Sequence, residues 1–452
     1  MNQLYKVFCI TGCVVTIFLF MVALPAPTVG GTTLRPIRIL SDLLPEKEAT
    51  ADVLPAPRPP KVAVDKPRGK YHPYLPKGVV MIDDYSEGKP GGMTHFYQML
   101  AQVRQLKRPV RIAYYSDSFI EGDVLTADIR EKMQQQFGGC GIGWIDCEKG
   151  TNGNRPTISL SSNGFNGHVV TQKSFQPERQ GINQKYFLPQ SGATLSVKAT
   201  NFRKGTSRWQ SAKLFLKSPS PISITFNGTD REIGGRDEVQ MIETASSANH
   251  VSLKVNHGAG AAFFGLALES QKGVIVDNLG MRGIPGYSLS HLPDRTLSQF
   301  ARLRPYDLII IHYGLNVSAD GNPNAFFESY KQRMKTVVEK MRRAFPEASI
   351  LVVGISDRDQ RYADGIHTMH SIKRLESYQR LIASESHVAF YSMFSAMGGE
   401  DAMKRFVDKN MANKDYTHIN FEGGRYIADR FCKSINAGLV NYKRKKAAGL
   451  IK

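Results

Sequence analysis

From Met93 onward, apolar positions fall at helical spacing (Phe96, Met99, Leu100 and Val103). They give way to the continuous run Val110 to Tyr115, which reads as a buried strand. After the polar loop Ser116 to Asp123, Leu125, Ile129 and Met133 mark a helix that stops at Gly138-Gly139. The same grammar returns late in the chain. Short apolar runs at Gly273 to Val276, Leu308 to His312, Ile350 to Ile355 and Val388 to Tyr391 alternate with helical patterns through Phe326, Tyr330, Met334, Val337 and Met341, and through Ile427, Phe431 and Ile435. Strands alternating with helices predict an α/β fold, a parallel sheet with crossover helices.

Residues 151–272 follow another rule. Ala193, Leu195, Val197 and Ala199 alternate with polar residues, as do Ile222, Ile224 and Phe226, and Val251, Leu253 and Val255. Period two predicts half-buried strands. Asn163-Gly164, Asn166-Gly167, Asn227-Gly228 and Gly234-Gly235 read as turns between them, and no long helix intervenes. This stretch is predicted to be a β-sandwich inserted into the α/β body, either structural or carbohydrate-binding. Trp209 and Tyr186 lie in it, as core residues or as faces for stacking on sugars.

The N-terminus has a third character. Lys6 precedes the apolar run Val7 to Leu24, near the shortest length that spans a bilayer, so residues 1–30 are expected to be a signal peptide or a membrane anchor. Residues 31–80 form a Pro-rich linker; nine of the 23 prolines fall between 31 and 78, and such a composition is extended and semi-rigid. The expected location is periplasmic or otherwise extracytoplasmic, with or without attachment to the cytoplasmic membrane. The α/β body then occupies 81–150 and 273–442, and 443–452 is a basic tail expected to be solvated.

Charge narrows the partners. Lys and Arg number 59 against 40 Asp and Glu, for a net +19. Part of the excess lies in the linker and part in Lys443-Arg444-Lys445-Lys446, which argues against nucleic acid and for an anionic envelope surface. Five cysteines, without paired CxxC clusters, make no structural metal site; Cys140 and Cys147 could close a short disulfide in an oxidising compartment.

Candidate chemistry sits where strands end. Ser116-Asp117-Ser118-Phe119-Ile120-Glu121-Gly122 follows the first strand, placing Ser118 at the carboxyl edge of the sheet or, on the plainer reading, as a helix cap. Asp277-Asn278-Leu279-Gly280-Met281-Arg282-Gly283 and Tyr313-Gly314-Leu315-Asn316 follow two later strands, and Asp415-Tyr416-Thr417-His418 precedes the last helix. A serine, a histidine and a carboxylate supply nucleophile, general base and orienting group for ester cleavage. Asp364 and His367 share the Asp-x-x-His spacing but come one strand–helix unit too early. His367 therefore reads as a surface-loop residue or a substrate contact.

In order and placement these blocks resemble the SGNH (GDSL-like) hydrolase superfamily over about 81–150 and 274–440. With the inserted β domain and the export segment they look most like its peptidoglycan O-acetylesterase branch. The resemblance implies Ser118 as nucleophile, His418 as base, Asp415 as its partner, and an oxyanion hole from the Ser118 and Gly283 N–H groups and the Asn316 amide. It implies no cofactor or metal, and an acetylated polysaccharide as substrate. Two departures stand out: Ser116 where a glycine is expected, and Val317 where many members carry aspartate. An O-acetyltransferase would use the same residues, and a non-catalytic envelope-binding protein would need only the sandwich.

Overall fold

The structure, a computed structural model, describes residues 28–29, 32–33, 56–62, 65–150, 154–245, 249–258 and 260–451. The apolar run Val7 to Leu24 and most of the Pro-rich stretch lie outside the described residues. Among those described, no helix is long and apolar enough to cross a membrane.

Val110–Ser116 is buried at every position and becomes the second strand of a six-stranded sheet. Val274–Gly280 pairs on one side of it. Leu308–His312, Ser349–Val353 and Ala389–Tyr391 follow on the other, all parallel, and Asp83–Asp84 closes the edge antiparallel. In chain order the five parallel strands run 2-1-3-4-5. Connections therefore leave the first strand in opposite directions and open a crevice at the carboxyl edge between the first and third strands. Register keeps that edge level, because Ser116 lies opposite both Gly280 and His312.

The helices pack in two groups. Thr94–Ala101, Thr126–Phe137 and Phe421–Ala447 pack together, as do Asp294–Leu303, Asn324–Ala344 and Ser371–Glu385. The Lys443–Lys446 cluster is not a free tail. It is the last turn of the helix Phe421–Ala447, where basic side chains offset the partial negative charge of the helix end.

The insert is one continuous nine-stranded antiparallel sheet, curled around a hydrophobic core of its own that includes Leu195, Val197, Leu214, Ile224, Val251 and Phe263. The short strand Gly143–Ile145 also belongs to it. Asn163-Gly164 and Asn166-Gly167 are not hairpin turns. They lie inside the strand Ile158–Val169, where the register shifts at Gly164 (φ +75°), a bulge that a glycine accommodates. Asn227-Gly228 does form the expected turn, between Ile222–Phe226 and Thr229–Ile233. Trp209 and Tyr186 are both 1% exposed and present no face to a sugar. Cys140 and Cys147 are separate buried thiols rather than a disulfide.

Buried ion pairs join insert and α/β body. Glu269, closing the insert strand Ala262–Glu269, accepts from Arg111 of the first parallel strand and from Arg304, each at 2.7 Å. Arg304 also donates to Asp277 at 2.8 Å. Burial alone would raise the Glu269 carboxyl, but the charges of Arg304 and Arg111 hold it well below the usual carboxylate range.

Candidate active site

The first parallel strand ends at Ser116, and the chain turns at once into a short helical segment, Ser118–Asp123. Asp117 caps that turn, its carboxylate accepting from Phe119 N at 3.0 Å. The capping role that the sequence left open for Ser118 thus falls to Asp117, and the Ser118 hydroxyl is available for other chemistry. Asp117 is buried, which pushes its carboxyl up to about 6 against the opposing effects of the Phe119 N–H, the charge of His418 and the Asn316 amide.

His418 reaches the same point from 300 residues away: its Nε2 lies 2.9 Å from Ser118 Oγ. Its Nδ1 lies 2.7 Å from Asp415 Oδ2, while Asp415 Oδ1 accepts from the backbone N–H of Thr417 and of His418, each at 3.0 Å. Partial burial alone would raise the Asp415 carboxyl. The His418 backbone and ring bonds and the Thr417 N–H outweigh it and hold the carboxyl below its ordinary value. Backbone bonds pin the loop, from Asn413 N to His418 O and from Asp359 N to Tyr416 O. Asn420 then caps the helix Phe421–Ala447 through Glu422 N and Gly423 N. That helix comes so close to the turn after Ser118 that a Cβ at Gly424 would overlap the Val124 carbonyl oxygen.

The two remaining blocks meet the turn from neighbouring strands. Gly283 follows the strand Val274–Gly280 with φ +76° and open space where a Cβ would stand, so backbone conformation, not crowding, favours glycine there. Neither the Ser118 nor the Gly283 backbone N–H has an acceptor among the described residues. Asn316 stands in the turn Leu315–Val317 after the third strand. Its amide nitrogen donates to Asp117 Oδ2 at 3.2 Å and to Ile284 O at 3.1 Å, so an incoming oxyanion would take over one of these two hydrogens. Ser116 is fully buried, its Oγ without a hydrogen-bond partner among the described residues, and Val317 is buried as well. His367, by contrast, belongs to a two-stranded hairpin, with Asp364 at 3.8 Å.

Sequence reasoning missed what holds the turn at its far end. Asp123, buried at φ +68°, accepts from Thr126 Oγ1 (2.6 Å), Arg130 (3.2 Å), Arg155 Nε (2.8 Å) and Thr157 Oγ1 (2.6 Å), the last two from the insert side. Arg130 falls on the same helix pattern as Met133, but nothing in sequence ties Asp123 to Arg155. Beside the turn lies a cleft of about 500 Å³. Glu121, Gly122, Met281 and Arg282 line it from the α/β body, and Val169, Thr171 and Lys185 from the insert. Arg282 and Glu121 form an ion pair at its margin.

Residues 246–425 match the GDSL-like lipase/acylhydrolase family, a span that holds Gly283, Asn316, Asp415 and His418. The first block lies before that span, and the 2.9 Å approach of Ser118 to His418 joins it to the rest. Over that span the chain carries a GDSL-like lipase/acylhydrolase (SGNH) match. Among solved structures, this GDSL-like chain is similar to a peptidoglycan O-acetylesterase, with 20% identity and a TM-score of 0.67 over 79% of this chain and 99% of that one. A family two carbohydrate esterase from Clostridium thermocellum matches at 12% identity and a TM-score of 0.27, over 63% of this chain and 100% of the other. No curated protein sequence is significantly similar to the chain.

Proposed function

We propose that this GDSL-like hydrolase removes O-acetyl groups from a cell-envelope polysaccharide, with peptidoglycan as the polymer, outside the cytoplasm. The observation that carries the reading is the line Ser118 Oγ, His418, Asp415, with successive contacts of 2.9 and 2.7 Å. The polymer is suggested by the shared fold of the O-acetylesterase and by a cleft walled on one side by the inserted sheet. The apolar run Val7 to Leu24 supports the location.

In this reading Ser118 Oγ attacks the acetyl carbonyl carbon as its proton passes to His418 Nε2. Asp415 fixes the imidazole tautomer and stabilises the imidazolium. The carbonyl oxygen, now negative, is received by the Ser118 and Gly283 N–H groups and by one Asn316 amide hydrogen; losing one such donor typically costs about 3 kcal/mol of transition-state stabilisation. The intermediate collapses, the sugar oxygen leaves with the proton from His418, and an acetyl-serine remains. Water then attacks that ester with His418 again as base, and acetate departs as Ser118 regains its proton.

The test is acetate release from O-acetylated peptidoglycan measured beside acetyl transfer to a sugar acceptor. Release that exceeds transfer supports the esterase. Transfer that exceeds release would make the chain an O-acetyltransferase, and neither, from a folded protein, would overturn the reading.

A further inference from the structure

The face formed around the far end of the last helix is not used by the chemistry above. Residues 65–75 cross that end as a strap. Tyr74 N and O bond the Asn441 side chain at 2.6 and 2.9 Å, Arg444 donates to His72 O at 3.0 Å, and Lys445 pairs with Asp65 at 2.6 Å. Arg444 lies over the Tyr74 ring and Lys445 over that of Tyr71. Basic residues in a last helical turn are ordinary on their own. Here the strap adds Lys66, Arg68, Lys70 and Lys77, all exposed, to exposed Lys443, Arg444 and Lys446. Asp65, the single acid among residues 56–80, is already paired, and residues 438–452 contain none. Tyr74, Leu75 and Leu450 are exposed on the same segments, three of the four large apolar side chains so exposed among the described residues.

We propose that this face docks on an anionic phospholipid bilayer. Cations attract an anionic lipid surface, and an aromatic and two leucines among them can enter the headgroup region, a contact that a soluble polyanion would not reward. The chain itself favours this occupant. The strap leads back in sequence to the apolar run Val7 to Leu24 through a Pro-rich segment of 40 residues (25–64), so a weakly attracted face would be held at high effective concentration near a bilayer. Docking would also orient the molecule. Phe421–Ala447 has 27 residues and so extends about 40 Å, with His418 just before its amino end and the basic face at its carboxyl end. The crevice at Ser118 would then open away from the lipid, toward material beyond the membrane.

The experiment uses the full chain carrying Leu450→Trp, because the two native tryptophans, Trp144 and Trp209, are buried and silent to lipid quenchers. The protein is reconstituted into vesicles of neutral phosphatidylcholine, or of phosphatidylcholine with about one-third phosphatidylglycerol, each containing brominated acyl chains; flotation checks that the protein is bound to both. The introduced indole should be quenched at least twofold more in the anionic vesicles. The difference should vanish in high salt and in the combined variant Lys66→Gln, Lys70→Gln, Lys443→Gln, Lys446→Gln, with acetyl-ester turnover unchanged. Equal quenching in both vesicles, or a blue shift caused by soluble polyphosphate but not by anionic vesicles, would overturn the proposal. The quenching and flotation readouts do not depend on the esterase assignment.

Discussion

Arg155, on the insert side, donates its Nε to Asp123 at 2.8 Å and so holds the far end of the turn that begins with Ser118. Arg155 also donates to the carbonyls of Trp144 and Ile142, and Thr157 adds a 2.6 Å bond to the same carboxylate. The inserted sheet is therefore part of the support of the active-site turn as well as a wall of the cleft. Its removal is expected to impair small and polymeric esters alike.

Arg155→Met tests this link. Asp123 keeps Arg130 but loses a buried cation, a change that costs on the order of 3 kcal/mol. Urea unfolding should show that loss, and turnover of a small acetyl ester should fall in the protein that remains folded. Unchanged stability and rate would mean that the insert does not brace the turn.

Gly424→Ala separates two opposing effects. Helix propensity favours alanine over glycine by roughly 1 kcal/mol in a helix interior. The Val124 carbonyl leaves no room for the methyl group, so the helix must shift and carry His418 with it. We expect lower stability and a fall in kcat on the order of a hundredfold, as small misplacements of reacting groups produce. A more stable variant with normal kcat would show that the close approach does not set the His418 position.

The carboxyls of Asp357 and Asp359 are buried beside one another. Burial and the neighbouring charge of Asp357 push Asp359 up to about 7, and burial raises Asp357 too. A carboxyl raised in the folded state binds its proton more tightly folded than unfolded. The stability it contributes is present at low pH and lost as pH rises through about 7. Asp359→Asn should remove that loss, so melting profiles of variant and parent should diverge in favour of the variant as pH rises from about 4, the ordinary Asp value, to about 7, and keep a constant separation above it. Parallel profiles would contradict the assignment.

The sheet was legible because buried parallel strands are continuous apolar runs; Leu308 to His312 keeps its predicted bounds. Turn chemistry misled at Asn163-Gly164, where the same dipeptide serves a bulge. Strand-end placement pointed to the blocks holding Ser118, Gly283 and Asn316, and the resemblance to the SGNH superfamily singled out those residues with Asp415 and His418; the fold brings Ser118, His418 and Asp415 into one line of contacts. Two things needed coordinates. Cap assignment between Asp117 and Ser118 depends on one backbone turn, and the Asp123–Arg155 pair joins residues with no periodic relation. The apolar strap residues Tyr74 and Leu75 gain meaning only once Asn441 is seen beside them.

His418→Ala and His367→Ala should differ sharply. His418 lies within hydrogen-bonding distance of Ser118 Oγ, so its loss should lower kcat about a thousandfold or more, whereas His367→Ala should retain most of the rate. Steady-state turnover of an activated acetyl ester by the two folded variants checks this; the reverse ranking would place the base in the hairpin.

The most direct test of the central claim is to trap the acyl-enzyme. Rapid acid quench of the protein during turnover of O-acetylated peptidoglycan, followed by peptide mass spectrometry, should find an acetyl group on Ser118 that forms and decays with acetate release, and none in Ser118→Ala, which should be inactive. Acetate release by folded Ser118→Ala at the parent rate, or an acetyl group that turns over on another residue, would contradict the account.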